Sequence, residues 1–206
     1  MKHGIGRRFV LQFSNFQLKN NMALTESKML SLGTIAPNFN LPDTISGKMV
    51  SFNDLKSDIA TVVMFTCNHC PYVIHVNEEI VRLAIEYQDL GISFVAISSN
   101  DVENYPDDSP EKMTQLAAKE GYTFPYLYDE TQEVAQAYDA ACTPDFYVFD
   151  QNARLVYRGQ LDGSRPGSDI PLTGADLRAA LDSILVNRPV NQMQRPSAGC
   201  GIKWKK

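Results

Sequence analysis

The stretch Met64-Phe65-Thr66-Cys67-Asn68-His69-Cys70-Pro71 decides how the rest of the chain is read. Just before its cysteines, Thr61 to Phe65 is a short β-branched and aromatic run preceded by the polar Lys56-Ser57-Asp58, the pattern of a fully buried strand. Beyond it Val73, Val76, Ile80, Leu83, Ala84 and Tyr87 recur at three- and four-residue steps, the period of a helix. Gly91 stands where such a helix would end in a left-handed cap. The cysteines therefore fall where a central strand passes into a helix, at its first turn. Backbone N–H groups are unpaired there and the dipole favours a thiolate.

Each residue of the tetrad has an expected task. Cys67 comes first, so its sulfur is expected to be the more exposed and to face the free N–H groups, with Cys70 one turn on to close a disulfide. A protonated His69 between them would favour the Cys67 thiolate, stabilise the reduced form and make the couple more oxidising. Pro71 lacks an N–H and suits an early helical position. The competing use of such a pair, half of a zinc knuckle, needs a second close pair of cysteines or histidines, which the sequence does not offer. A metal site on Cys67, Cys70 and a histidine ranks last, and neither a metal nor another cofactor is expected.

The chain has 206 residues, 44% of them hydrophobic, enough for one domain with a sizeable core. Its net charge of -5 and the lack of a basic stripe with interleaved aromatics argue against a nucleic-acid partner. Four cysteines are too few for a disulfide scaffold at this length. The first 22 residues carry Lys2, Arg7, Arg8 and Lys19 and no acid, yet Phe9-Val10-Leu11 is too short for a signal core. Residues 1–32 are therefore expected to be a disordered extension, 33–187 the folded domain, and 188–206 an irregular tail. No run reaches the 18 apolar residues of a membrane span, and the expected location is the cytoplasm.

In chain order, Pro37 to Thr44 and Lys48 to Phe52 read as a hairpin about Ser46-Gly47 at a sheet edge, with Ser51 capping a short turn. Ile92 to Ser98 is a second buried strand, so strand, helix and strand imply a parallel pair with a right-handed crossover. The loop Asn100 to Asp108 reads as a solvated acidic loop, with Asn100 and Asp101 keeping a smaller claim on function. Ser109-Pro110-Glu111 starts a helix that Gly121 ends. Phe124 to Tyr128 is an edge strand because of Pro125, and Asp129 opens a helix through Val134 and Tyr138. Pro144 belongs at the first residue of the strand Phe146 to Phe149, which turns at Gln151-Asn152 into Arg154 to Arg158. Thr173-Gly174-Ala175-Asp176 has the spacing of a capping box for a last helix.

With Cys67-Asn68-His69-Cys70-Pro71 between strand and helix and Thr143-Pro144 opening a hairpin, the chain from Gly33 to Leu185 resembles the thioredoxin-like redoxin superfamily. That group includes TlpA/ResA-type thiol-disulfide oxidoreductases and alkyl hydroperoxide reductase/thiol-specific antioxidant proteins. The resemblance implies an α/β thioredoxin-like fold, a central mixed sheet flanked by helices with an N-terminal β-hairpin extension. It implies Cys67 as the attacking thiol, Cys70 as the buried partner that releases product, and Pro144 as a cis-proline facing the disulfide. It also implies that the Thr143 backbone pairs with an extended substrate segment. The chain departs from the peroxidases of this group, which carry a proline and a threonine or serine where it has Ala60 and Met64. It lacks the acid that thioredoxin has in the central strand, and Val73 stands where TlpA/ResA proteins have a glutamate. The proton acceptor for Cys70 is thus unassigned, with His75 and Asp101 of low rank.

Cys142, two residues before Pro144, is read equally as a third thiol or as a small buried residue. Cys200, between Gly199 and Gly201, is expected to be a mobile, exposed bystander more than a relay to Cys67, with Ile202 and Trp204 available as anchors. The function expected is thiol-disulfide exchange through Cys67 and Cys70 with protein or small-molecule disulfides, recycled by a thiol reductant. The alternatives are a peroxiredoxin-like peroxidase using Cys67 and a non-catalytic binding or metal-carrier module on the same fold.

Overall fold

The computed structural model describes residues 24–206. Residues 1–23 of the expected N-terminal extension lie outside the described residues. The strands are β1 (Leu24–Glu26), β2 (Asn40–Pro42), β3 (Met49–Ser51), β4 (Ala60–Phe65), β5 (Ser93–Ser98), β6 (Tyr126–Tyr128), β7 (Cys142–Thr143), β8 (Asp145–Asp150), β9 (Leu155–Gly159) and β10 (Ala198–Gly201). The helices are α1 (Phe52–Leu55), α2 (Pro71–Gln88), α3 (Pro110–Glu120), α4 (Glu133–Ala137) and α5 (Ala175–Leu185).

Five strands form the main sheet in the order β6-β5-β4-β8-β9. The central strand β4, buried along its whole length, runs parallel to β5 and antiparallel to β8, so Phe65 at its end lies opposite both Ile97 and Asp145. Because side chains alternate along a strand, each central strand feeds two apolar layers. Val62, Met64, Phe94, Ala96, Phe146 and Val148 pack on one face with Ile80, Leu83 and Tyr87 of α2, Met113 of α3 and Leu181 of α5. Val63, Phe65, Val95, Ile97, Tyr147 and Phe149 pack on the other with Phe52 and with Val134 and Ala135 of α4. Each fully buried Val, Leu, Ile, Phe or Met among them contributes about 1.5–3 kcal/mol.

The edges follow local chemistry. Pro125 precedes β6 and β6 is an edge strand, while β2 and β3 form a separate two-stranded antiparallel sheet hooked onto it. The hook is Asp43, whose Oδ1 accepts the Tyr126 N–H at 3.1 Å, and Thr44, whose N–H donates to the Tyr126 carbonyl at 3.0 Å. Ser51 and Asp54 make a capping box for α1. Ser109 caps α3, which ends at Gly121 with φ 74°.

Two helix starts differ from expectation. The Thr173–Asp176 box does not form: Gly174 is the N-cap of α5, and the N–H groups of Thr173 and Gly174 both go to Oδ2 of Asp162, at 2.7 and 2.6 Å. The buried carboxylate from the preceding loop supplies a stronger acceptor than a hydroxyl, and Asp176 turns instead to Gln160. Asp129 does not begin α4 either; Gln132 is its N-cap, while the Asp129 carboxylate reaches the N–H groups of Val134 and Ala135 from below.

The largest difference lies at the C-terminus. Residues 198–201, expected to be an irregular tail, form β10 between β1 and β7 in a three-stranded antiparallel sheet. Leu24 faces Cys200 on one side and Thr143 faces it on the other. Ile202 is buried as expected of an anchor, whereas Trp204 is exposed.

Candidate active site

Cys67 lies in the loop after β4, and Cys70 is the N-cap of α2 with Pro71 as its first helical residue. Thr143-Pro144, joined by a cis peptide bond, faces both. The Cys67 sulfur is 3.3 Å from Thr143 Oγ1, and the Cys70 sulfur is 3.3 Å from the Thr143 carbonyl oxygen. Cys67, Cys70, Val73 and Cys200 form one buried cluster, with Tyr72 against it. All four cysteines are free thiols and buried, Cys67 at 1% and Cys200 at 2% relative exposure. The expected exposed sulfur at Cys67 and the mobile Cys200 are both corrected, because β10 and the Thr143 strand close over the thiols.

The electrostatics also reverse an expectation. Cys70, not Cys67, holds the helix N-cap. Its sulfur is held well below the usual thiol range by hydrogen bonds from the Cys200 and Cys67 thiols and from the Val73 and Cys200 amides, against the cost of burial. The Thr143 carbonyl opposes this, since it would rather meet a thiol hydrogen. Two thiols and two amides against one carbonyl favour ionisation at Cys70 over ionisation at Cys67. Cys67 is pushed up, first because it donates to Cys70, then by burial and by the negative Asp108 nearby. Cys200 is pushed up by donating to Cys70 and by burial.

His69 was expected to supply a positive charge beside Cys67. Its Nδ1 lies 2.7 Å from Oδ2 of Asp108, whose side chain is wholly buried. That carboxylate raises the imidazole pKa, against partial burial, and so stabilises the charged form while offsetting its charge. The ring stacks on Tyr105 at 5.7 Å between centroids. Asp108 is the residue that sequence reasoning missed, taken for part of a solvated loop. It also accepts the Asn68 N–H and the Asn100 side-chain amide, both at 2.7 Å. The one available signal was its position just before the Ser109 cap, in a loop that follows the carboxyl end of a parallel strand.

Asn100 is buried and links this cluster to the C-terminal segment, its Oδ1 accepting the Lys203 N–H at 2.8 Å. Asp101 does not reach the thiols; its carboxylate caps Glu103 and Asn104. His75 bonds Ser164 at 2.8 Å, across a small cavity that Tyr72, Pro144 and Arg165 help to line. Cys142 is fully buried with its sulfur 3.9 Å from the Ser197 carbonyl, outside the thiol cluster, and burial pushes its pKa up. The Thr143 backbone, expected to receive a substrate strand, pairs instead with Cys200 of β10. Among the described residues one donor set fits an ion: the Cys67 sulfur, a His69 ring nitrogen and an Asp108 oxygen lie within 4.8 Å of one another. An ion there would compete with the amide bonds that Asp108 already accepts. No helix among the described residues is long and apolar enough to cross a membrane.

Comparison with known proteins places this geometry. The AhpC/TSA family model matches residues 32–158, and a search of curated proteins gives no match. The crystal structure of an uncharacterized conserved protein from Geobacillus kaustophilus is 61% identical, with a TM-score of 0.88 over 89% of this chain and 97% of that one. A hypothetical protein from Sinorhizobium meliloti 1021 is 44% identical, with a TM-score of 0.86 over 88% of this chain and 98% of that one. A putative thioredoxin from Neisseria meningitidis is 24% identical, with a TM-score of 0.57 over 74% and 90% of the two chains, and shows the fold alone. The fold is thioredoxin-like, and family and fold together support a thiol-based redox function. The family match takes in the N-terminal hairpin, the five strands of the main sheet as far as Arg158, the cysteine pair and Pro144, and on that ground the chain belongs to the AhpC/TSA family.

Proposed function

We propose that the protein is a thiol-disulfide oxidoreductase that works through Cys67 and Cys70. The observation that carries this reading is the pair itself: two free thiols in hydrogen-bond contact, each 3.3 Å from an atom of Thr143, beside Pro144. Cys67, in the loop ahead of the helix, is the thiol assigned to meet substrate; it is buried beneath Thr143 and β10, so this cover opens when substrate binds. Its proton passes along the contact to Cys70. The Cys67 thiolate attacks a substrate disulfide, forms a mixed disulfide and expels one substrate thiolate. Cys70 then gives up the proton and attacks the Cys67 sulfur, the second substrate thiol leaves, and a Cys67–Cys70 disulfide remains. Two electrons have moved from the dithiol to the substrate, and a thiol reductant restores them.

Incubation of Cys70→Ser protein with a disulfide such as oxidised glutathione tests this. A stable adduct on Cys67 is expected, with insulin-disulfide reduction by the unmodified protein lost in Cys67→Ser. No adduct, and reduction unchanged in Cys67→Ser, would refute it.

A second reading, a thiol peroxidase, is favoured by the family match and by the Thr143 hydroxyl 3.3 Å from the Cys67 sulfur, which offers a donor where Met64 offers none. Stoichiometric hydrogen peroxide and dimedone with Cys70→Ser decide it: a sulfenic acid labelled on Cys67 supports it, and an unlabelled Cys67 excludes it.

A further inference from the structure

The Cys67–Cys70 pair is not alone. Cys200, 130 positions after Cys70 in the chain, is the third sulfur of the same buried cluster. Its place is set by backbone pairing, since β10 puts Cys200 opposite Thr143, the residue whose carbonyl lies 3.3 Å from the Cys70 sulfur.

Several features hold the strand there. A Cβ on Gly199 would sit 2.0 Å from the Thr143 carbonyl oxygen, so no other residue permits this approach. β1 closes the outer edge, with Leu24 opposite Cys200. The Ile202 N–H donates to the Ala141 carbonyl at 3.0 Å, and the Lys203 N–H reaches Asn100, which in turn holds Asp108. The chain's own C-terminus thus occupies the edge of Thr143 that an extended substrate would use.

We propose that Cys200 is a third redox thiol, which exchanges with the Cys67–Cys70 disulfide to form a Cys70–Cys200 disulfide and return Cys67 as a thiol. This rests on the dithiol reading above. The Cys200 sulfur attacks the Cys70 sulfur; the Cys70–Cys200 bond forms as the Cys67–Cys70 bond breaks. Cys200 is oxidised and Cys67 reduced, and the proton that leaves Cys200 ends on Cys67. The oxidising equivalents are those the substrate disulfide delivered, so no further oxidant is needed. The outcome is an enzyme that stores its disulfide on the inner pair while the substrate-facing thiol is free again. Cys142 takes no part, because its sulfur faces the Ser197 carbonyl instead.

The test oxidises full-length Cys67→Ser protein with one equivalent of diamide, blocks remaining thiols and maps disulfide-linked peptides by mass spectrometry. A Cys70–Cys200 link in most chains is expected, with alkylation of Cys200 slowed at least tenfold. Cys70 and Cys200 both remaining alkylatable, or a link to Cys142, would overturn the proposal. Unmodified protein treated in the same way separates the two readings. A Cys67–Cys70 link with no trace of Cys70–Cys200 at any time point defeats the third thiol and leaves the dithiol standing. Absence of any link at Cys67 at every time point, in Cys200→Ser protein as well, defeats the dithiol itself. Should Cys67→Ser not fold, the time course of the unmodified protein decides alone.

Discussion

His69 and Asp108 face each other with Nδ1 and Oδ2 2.7 Å apart, joining the loop between the two cysteines to the loop after β5. The carboxylate raises the imidazole pKa, so Asp108→Asn is expected to bring it back towards the ordinary value of about 6.5. An NMR titration of the His69 ring reads this directly. A raised folded-state pKa contributes stability that is full below the unfolded value and lost as pH rises through the folded one. The stability difference between the unmodified protein and Asp108→Asn is therefore expected to be larger at pH 5.5 than at pH 9; an equal difference would show that the ion pair contributes nothing.

Asp145, directly after Pro144, is buried, and burial raises its carboxyl pKa to about 7 although Tyr147 and the Phe146 N–H bond it. Such an acid binds its proton in the folded state over a range where the unfolded chain has lost it. Its share of stability is full below about pH 4 and falls until about pH 7, with a slope approaching about 1.4 kcal/mol per pH unit. Urea denaturation of Asp145→Asn across this range is expected to give a flatter profile than the unmodified protein.

Gly199→Ala would place a methyl group 2.0 Å from the Thr143 carbonyl oxygen. The expected cost is about 1–3 kcal/mol, with β10 displaced from the thiols. Iodoacetamide would then modify Cys200 at least about tenfold faster. Unchanged alkylation with unchanged stability would mean that the strand is not held as described.

Asp162 accepts N–H groups from Ser164, Thr173 and Gly174 at 2.8, 2.7 and 2.6 Å. Asp162→Ala strands these donors, and a loss of about 3 kcal/mol in chemical denaturation is expected. Thr173→Ala, which would be the damaging change if a capping box started α5, is expected to be nearly silent.

These cases show what the sequence made legible. β4, α2, the β8–β9 hairpin and the Ser109 cap announce themselves locally, through periodicity, proline and glycine, and all are present. Edge placement of β6 followed from Pro125. What could not be read was long-range. Ala198 to Gly201 has no strand periodicity and becomes one only because Thr143 and Leu24 lie on either side. The mobile Cys200 of the sequence reading is therefore a buried neighbour of Cys70. Asp108 reads as solvated because its partners are His69 and Asn68 from another loop and Asn100, none of them suggested by the acidic run around it. The cysteine pair was visible from its spacing; which of the two holds the helix N-cap was not, since that turned on Pro71 being the first helical residue.

Everything proposed for the site depends on the bond between Cys67 and Cys70. The direct measurement is to equilibrate reduced Cys200→Ser protein, in which no third thiol can draw the disulfide away from Cys67, in glutathione buffers of increasing potential, quench, and map thiols and disulfides by mass spectrometry. Cys67 and Cys70 are expected to become protected together in one two-electron transition and to be recovered as a linked pair. Contradiction would be a Cys67 that stays fully alkylatable throughout, or one that carries glutathione indefinitely while Cys70 remains free.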